Sequence, residues 1–255
     1  MQAKVFYFSA TGNSFAIARD IANQIDAQAE LISIATMDNN DWNFDGDVLG
    51  IIFPIHFLNI PKVVVEFIRK LKVKPSCYVF CACTYGALYG DVLYKVEALL
   101  KESGIKLAAS FPVNMPGNNI ILYRAFPVSI QKYLFKNAKK KVIQIADYVK
   151  NFRKNVPTKS AIHIYVAIGF LFLFMAPGVS RKGFYVSEKC NGCGLCQRAC
   201  HCKNITLIDN KPQWSSNCEG CLACIQWCPT EAIYAQKTLN RKHYHHPKVS
   251  YSDLF

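Results

Sequence analysis

The chain has 255 residues, 12 of them cysteine, and a formal net charge of +13. It is too long to be one of the small secreted scaffolds that disulfides hold together, and its first residues, MQAKVFYFSATGNS, lack the cleavage site and apolar core of a signal peptide. Cytoplasmic placement with reduced thiols is therefore expected.

Lys4 to Phe8 is a short β-branched and aromatic run that reads as a strand. Ser9-Ala10-Thr11-Gly12-Asn13-Ser14 follows, and then Phe15, Ile17, Ala18, Ile21 and Ala22 recur at helical spacing. Strand, hydroxyl-rich loop and helix together form the geometry of a phosphate site. Backbone N–H groups at the helix start face the anion, and Ser9, Thr11 and Ser14 add hydroxyls. The loop is neither G-x-x-x-x-G-K-[ST] nor G-x-G-x-x-G, which disfavours a nucleoside triphosphate or NAD. Taken alone, it could also be a plain strand–turn–helix connection.

Val48 to Phe53 is a continuous apolar run, as a strand buried on both faces should be. Pro61 opens a helix to about Leu71. Cys77 to Cys83 reads as a strand with Cys77, Cys81 and Cys83 as core thiols on one face, followed by Thr84-Tyr85-Gly86. Val92 to Leu100 is helical by period, and Ile105 to Val113 closes the series. Such alternation implies an α/β fold, a parallel sheet with helices on both faces. Its ligand should sit at the carboxyl ends of the strands.

Eight cysteines form two copies of C-x2-C-x2-C-x3-C, 28 residues apart: Cys190, Cys193, Cys196, Cys200 and Cys218, Cys221, Cys224, Cys228. These spacings suit a pair of [4Fe–4S] clusters, with the fourth thiolate of each run serving the other cluster. One cluster is thus assigned Cys190, Cys193, Cys196 and Cys228, the other Cys218, Cys221, Cys224 and Cys200. Zinc fits poorly, because its sites use separated cysteine pairs. His201 stands where proline usually follows the fourth cysteine, and Cys202 lies two positions beyond Cys200. The register of the repeat favours Cys200 as the ligand and leaves Cys202 a spare thiol.

CPTEAI (Cys228 to Ile233) resembles bacterial two-cluster ferredoxins, a likeness that covers about residues 184 to 236. The loop at Ser9 to Ser14 resembles the FMN phosphate loop of flavodoxins. Through YFSATGNS, GIIFPIHFLNIP, MPGNN (Met115 to Asn119) and FYVSEKC, the whole chain resembles the EFR-type flavodoxin–ferredoxin fusion family. The resemblance implies a flavodoxin-like, doubly wound parallel five-stranded sheet of order 2-1-3-4-5, with a C-terminal α+β bacterial-ferredoxin-like domain. It implies FMN and two [4Fe–4S] clusters as cofactors. Ser9, Thr11, Gly12, Asn13 and Ser14 would take the phosphate. Pro54, His56, Phe57, Asn59, Thr84, Tyr85 and Gly86 lie on the loops that would flank the ring, although His56 and Phe57 could equally just support the fold. Flavodoxins often carry a glycine in the second of these loops. This chain has none between Phe53 and Lys62, so Asn59 is expected to take the positive φ there.

The expected layout is an FMN domain at 1–155, an apolar helical linker at 156–183 and a cluster domain with a basic tail at 184–255. Ala161 to Ala176 is apolar apart from His163. Sixteen helical residues reach about 24 Å, short of the roughly 30 Å hydrocarbon core, and a span would put flavin and clusters on opposite sides of a membrane. A helix packed between the domains is expected, with contact to a membrane surface as the alternative. The tail, with His243, His245 and His246, could bind a metal, but reads as a mobile basic tail.

Residues 1–130 are neutral overall, 131–159 carry +8 and 160–255 carry +5. The cofactors would bring the total to roughly +7. The basic residues, Lys132 to Lys154 among them, are either a solvated helix face or a docking surface for an acidic redox partner. No motif supports nucleic acid. The functional expectation is an electron carrier without catalytic side chains. The alternative is an FMN-dependent reductase of NAD(P)H, a quinone or another small molecule, with the clusters as relay.

Overall fold

The computed structural model describes residues 1–26, 28–37, 42–155, 157, 183–235, 238 and 241–255. The apolar runs become strands β1 (Ala3–Tyr7), β4 (Val48–Pro54), β6 (Tyr78–Tyr85) and β7 (Leu107–Asn114), joined at one edge by β2 (Glu30–Ser33). The sheet is parallel throughout, in the order β2-β1-β4-β6-β7. Counted along the chain within this sheet, that is 2-1-3-4-5, the doubly wound flavodoxin-like order. Two-residue strands β3 (Asn43–Phe44) and β5 (Lys72–Val73) make a separate parallel pair.

Strand residues alternate between two cores with the period of two that the pleat imposes. Val5, Tyr7, Phe80 and Ala82 face helices α1 (Asn13–Ile25) and α4 (Val128–Lys150). Phe6, Phe8, Val79, Cys81 and Cys83 face α2 (Lys62–Lys70) and α3 (Val92–Glu102). The three thiols share this face as expected: Cys81 and Cys83 are buried in it, and Cys77, just before β6, is half-buried and packs against the same core. Burial pushes the Cys83 thiol up to about 12. The basic run falls on α4, which buries Leu134, Ala138, Val142 and Ile145 and leaves its lysines largely outside.

The C-terminal region is a small α+β unit. Strand β8 (Phe184–Val186) pairs antiparallel with β11 (Ile233–Ala235), and β9 (Ile205–Ile208) pairs with β10 (Lys211–Trp214). Helices α5 (Leu195–Arg198) and α6 (Ala223–Gln226) are one turn each. The 28-residue sequence repeat is also a backbone repeat. Gly192 and Gly220, Gly194 and Leu222, and Lys203 and Glu231 all have positive φ, each pair 28 residues apart.

The tail packs against the rest of the chain, where the sequence reads as a mobile basic end. His246, Val249 and Leu254 are buried, and a short 3-10 turn at Tyr251–Asp253 is closed by reciprocal hydrogen bonds of Ser250 and Asp253. Its histidines are stacked apart from one another, His245 on Trp227 and His246 against Phe135. The apolar stretch 161–176 lies outside the described residues. Among the described residues, no helix is long and apolar enough to cross a membrane.

Gly50 sits in the middle of β4, where an added Cβ would lie 2.5 Å from Phe80 Cζ. Gly50→Ala should therefore cost about 1–3 kcal/mol by overpacking. A thermal melt checks this, and an unchanged midpoint would show that the Phe80 ring can yield.

Candidate functional site

Where β1 ends, the chain turns through Ser9–Gly12 into α1. The Gly12 N–H donates to Ser9 Oγ at 3.1 Å, and Gly12 itself has φ +91°, as a tight approach to a helix start requires. Ser14 Oγ lies 2.8 Å from Thr84 Oγ1, which ties the loop to the end of β6. The first N–H groups of α1 have no intrahelical acceptor and open toward the strand ends. A cavity of about 380 Å³ lies there, lined by Ser9, Thr11, Asn13, Ser14, Pro54, His56, Phe57, Thr84, Tyr85 and Gly86. Its size falls within the roughly 300–1,000 Å³ usual for cofactor pockets.

Two expected residues sit differently. Gly12 turns away beneath the tail, its Cα facing the Cβ atoms of His246 and Val249. Asn59 closes a two-residue turn instead of taking positive φ. His56 N–H donates to Asn59 O at 3.1 Å and Asn59 N–H to His56 O at 2.9 Å, and the positive φ falls on Phe57 (48°) and Leu58 (59°). This is the I′ geometry that Asn-Gly normally fills, here made by two bulky residues at a cost of about 1–2 kcal/mol each. Both ring nitrogens of His56 are buried without a hydrogen-bond partner. Burial first, and then His201, pushes this imidazole down to about 4.

A third loop, Met115–Asn119 after β7, completes the cavity, with Leu122 and Tyr123 beside it. The MPGNN sequence marked it, but the residue types alone assign it no contact. The last contributors are Gly220, Cys221 and Leu222. Nothing in the sequence announces them, since they come from the second cysteine run.

Each cysteine quartet lines its own cavity. Cys190, Cys193, Cys196 and Cys228 surround one, and Cys200, Cys218, Cys221 and Cys224 the other, where Cys202 also reaches the lining. The fourth cysteine of each run has thus crossed to the opposite group. Three ligands of one tetrahedral zinc would lie about 3.8 Å apart, given a Zn–S bond near 2.3 Å. Among the described residues, the one set of three potential ligands whose atoms all lie within 4.8 Å is His201, Cys202 and Glu219, so neither quartet is drawn in around a single small ion. The wider spacing and all-thiol donor set fit a polynuclear cluster. Backbone N–H groups of Asn204 and Ala232 donate to Cys200 Sγ and Cys228 Sγ at 3.3 Å in both cases, again equivalent across the repeat.

The two sites share a wall. Cys221 and Leu222 line both the second thiol cavity and the larger cavity. Beside them, His201 occupies the place expected of proline. Its Nε2 lies 3.2 Å from Glu219 Oε2 and 3.2 Å from Cys202 Sγ, and its ring packs on Phe8 at 4.5 Å. Burial works to raise the Glu219 carboxyl, and the bond and charge of His201, with His56 and the Lys62 N–H, together outweigh it and leave the group below the usual carboxylate range. Cys202 lies against His201 on the wall of the second thiol cavity, and burial drives its thiol up to about 12.

Residues 4–109 match the Flavodoxin domain family. An uncharacterised polyferredoxin-like protein of Methanocaldococcus jannaschii is 42% identical over 48 residues, which are 19% of this chain and 21% of that protein. The chain therefore spans about a fifth of the length of this curated relative. Among solved structures, the two-electron reduced flavodoxin of Megasphaera elsdenii is 17% identical with a TM-score of 0.39, covering 57% of this chain and 99% of that one. An FMN-dependent NADH-azoreductase of Bacillus anthracis is 12% identical with a TM-score of 0.40, covering 59% and 100%. The fold assignment rests on the strand order, not on these distant likenesses.

The strained turn can be tested directly. Leu58→Asn should raise the melting point by the equivalent of about 1 kcal/mol, because asparagine tolerates positive φ. Leu58→Val should lower it by a similar amount. Equal melting of all three proteins would show that the turn stores no strain.

Proposed function

We propose that this protein is a cytoplasmic electron carrier that holds FMN in the large cavity and a [4Fe–4S] cluster in each thiol cavity. The FMN domain would span 1–155, the linker 156–183 and the cluster domain 184–255. The observation that carries the reading is the shared wall: Cys221 and Leu222 border the thiol cavity on one side and the FMN cavity on the other. FMN exchanges one or two electrons and each cluster one, so together they would convert between two-electron and one-electron partners.

The chain's own residues position and tune. Ser9, Thr11, Ser14 and the α1 N–H groups would hold the phosphate, while Asn13 and Gly12 shape the loop. Pro54, His56, Phe57 and Thr84 to Gly86 would bound the ring, with Asn59 holding the turn. Gly220 packs so tightly under Phe57 that an added Cβ would lie 2.9 Å from the ring, which keeps the cluster loop against this site. N–H bonds from Asn204 and Ala232 would stabilise thiolate sulfur and so raise each cluster's potential. The wall comes from the cluster loop and not from a separate substrate pocket, which favours the carrier over the reductase reading. Cys193 is the exposed ligand, so the cluster held by Cys190, Cys193, Cys196 and Cys228 would face a redox partner. The partner's docking surface would be acidic, complementing the chain's positive charge.

Anaerobic reconstitution tests this reading. Two four-iron clusters and one FMN per chain are expected. Replacing Cys218 and Cys224 together with serine should remove one cluster, leave the other spectroscopically intact, and slow partner-driven flavin reduction at least tenfold. Zinc instead of iron in the isolated protein, or unchanged flavin reduction without the inner cluster, would overturn it.

A further inference from the structure

The phosphate loop does not stand on the N-terminal domain alone. Trp227, placed between Cys224 and Cys228, donates its indole N–H to Ala10 O at 2.9 Å. The backbone N–H of His246 donates to Thr11 O at 2.8 Å. Tyr244 donates its hydroxyl to Asn13 Oδ1 at 2.7 Å, while Asn13 Nδ2 donates to Pro116 O at 2.8 Å. Gln226 joins these contacts: its Nε2 donates to Asn118 O at 2.6 Å and its Oε1 accepts from Tyr244 N–H at 2.6 Å. Asn118 in turn donates to Thr11 Oγ1 at 3.0 Å. Three carbonyl or amide acceptors of the loop, at Ala10, Thr11 and Asn13, are therefore fixed by residues beyond position 226. The bonds to Ala10 and Asn13 are buried.

This arrangement constrains the loop from behind. With the Ala10 and Thr11 carbonyls and the Asn13 side chain engaged by the C-terminal segment, and the Gly12 N–H by Ser9 Oγ, the loop has little freedom to shift. Gly12 is closed over by His246 and Val249, each with its Cβ 3.0 Å from where a Gly12 Cβ would stand. Two of the clamping residues, Gln226 and Trp227, lie in the turn between two cluster cysteines. That turn is ordered by the same fold that gathers the thiols.

We propose, resting on the FMN reading above, that the phosphate site is composite. Trp227, Gln226, Tyr244 and the strap at 241–255 act as positioning residues for it, so that flavin phosphate is held tightly only when the cluster domain is folded and loaded. Coupling of this kind is reciprocal: whatever factor the clusters add to FMN affinity, FMN adds to cluster retention. A chain that has not yet received its clusters would then hold its flavin loosely.

The test compares FMN with riboflavin, which lacks the phosphate, on the flavin-free, cluster-loaded full chain, by fluorescence titration. Tyr244→Phe removes one hydroxyl and keeps the ring. It should weaken FMN about three- to tenfold, as loss of a buried hydrogen bond does, and leave riboflavin affinity within twofold with iron content unchanged. Gln226→Leu should act in the same sense. If Gln226→Leu fails to hold its clusters, Tyr244→Phe decides alone. In wild type, FMN but not riboflavin should slow the loss of iron to a chelator, and Tyr244→Phe should reduce that protection. Equal losses for both flavins would show a merely structural role and overturn the proposal, as would no loss for either. A wild-type chain that binds neither flavin would sink the FMN reading itself and this proposal with it.

Discussion

The contact on which the arrangement depends is the insertion of Gly220, Cys221 and Leu222 into the side of the cavity at the strand ends. Without a Cβ, Gly220 lets the backbone pass under Phe57. Leu222, although not glycine, takes φ 63° and so points α6 back toward its thiol cavity. The first cysteine loop repeats this backbone at Gly192 and Gly194, so the second loop differs in what it meets, Phe57 in place of Asn210. Meeting here, the two sites become neighbours by covalent geometry: a single cysteine belongs to the boundary of both.

Around that contact, the C-terminal region joins the sheet and its helices through a shared apolar cluster, which takes in Ala199, Ala223, Trp227, Val249 and Leu254, and through polar bonds. Trp227 reaches Ala10, Tyr244 reaches Asn13, and the Lys62 N–H donates to Glu219, which also engages His201. A buried donor left unmatched costs about 1–3 kcal/mol, so such bonds specify one docking geometry more sharply than apolar contact does. Electron exchange across a fixed gap benefits from that precision. The strain at Phe57 and Leu58 lies at the same junction, where the loop from His56 to Asn59 meets Gly220.

The features legible in the sequence are those with a local physical cause. The apolar runs of β1, β4, β6 and β7 announced themselves because strands covered on both faces carry no polar alternation. The thiol spacing repeats at 28 residues, and the crossing of Cys200 and Cys228 follows from loop reach. Strand β2 was harder to see: it is short, half-exposed and opens on Glu30. The turn at Phe57-Leu58 was misassigned to Asn59, since local propensity favours asparagine and the tertiary contact with Gly220 and the strand ends overrides it. The tail read as a mobile basic end because Arg241, Lys242 and Lys248 dominate its composition. Its anchors, Tyr244, Val249 and Leu254, have partners more than fifty residues away, as Tyr244 does in Asn13, and no local pattern reveals such partners.

The central claim is that flavin and inner cluster exchange electrons within one chain. Flash photoreduction of the flavin under anaerobic conditions, followed at a wavelength where the clusters bleach, measures this directly. The account predicts cluster bleaching with a first-order rate that is the same at every protein concentration. A rate that rises in proportion to concentration, or a flavin that returns to its oxidised state with the clusters untouched, would contradict it.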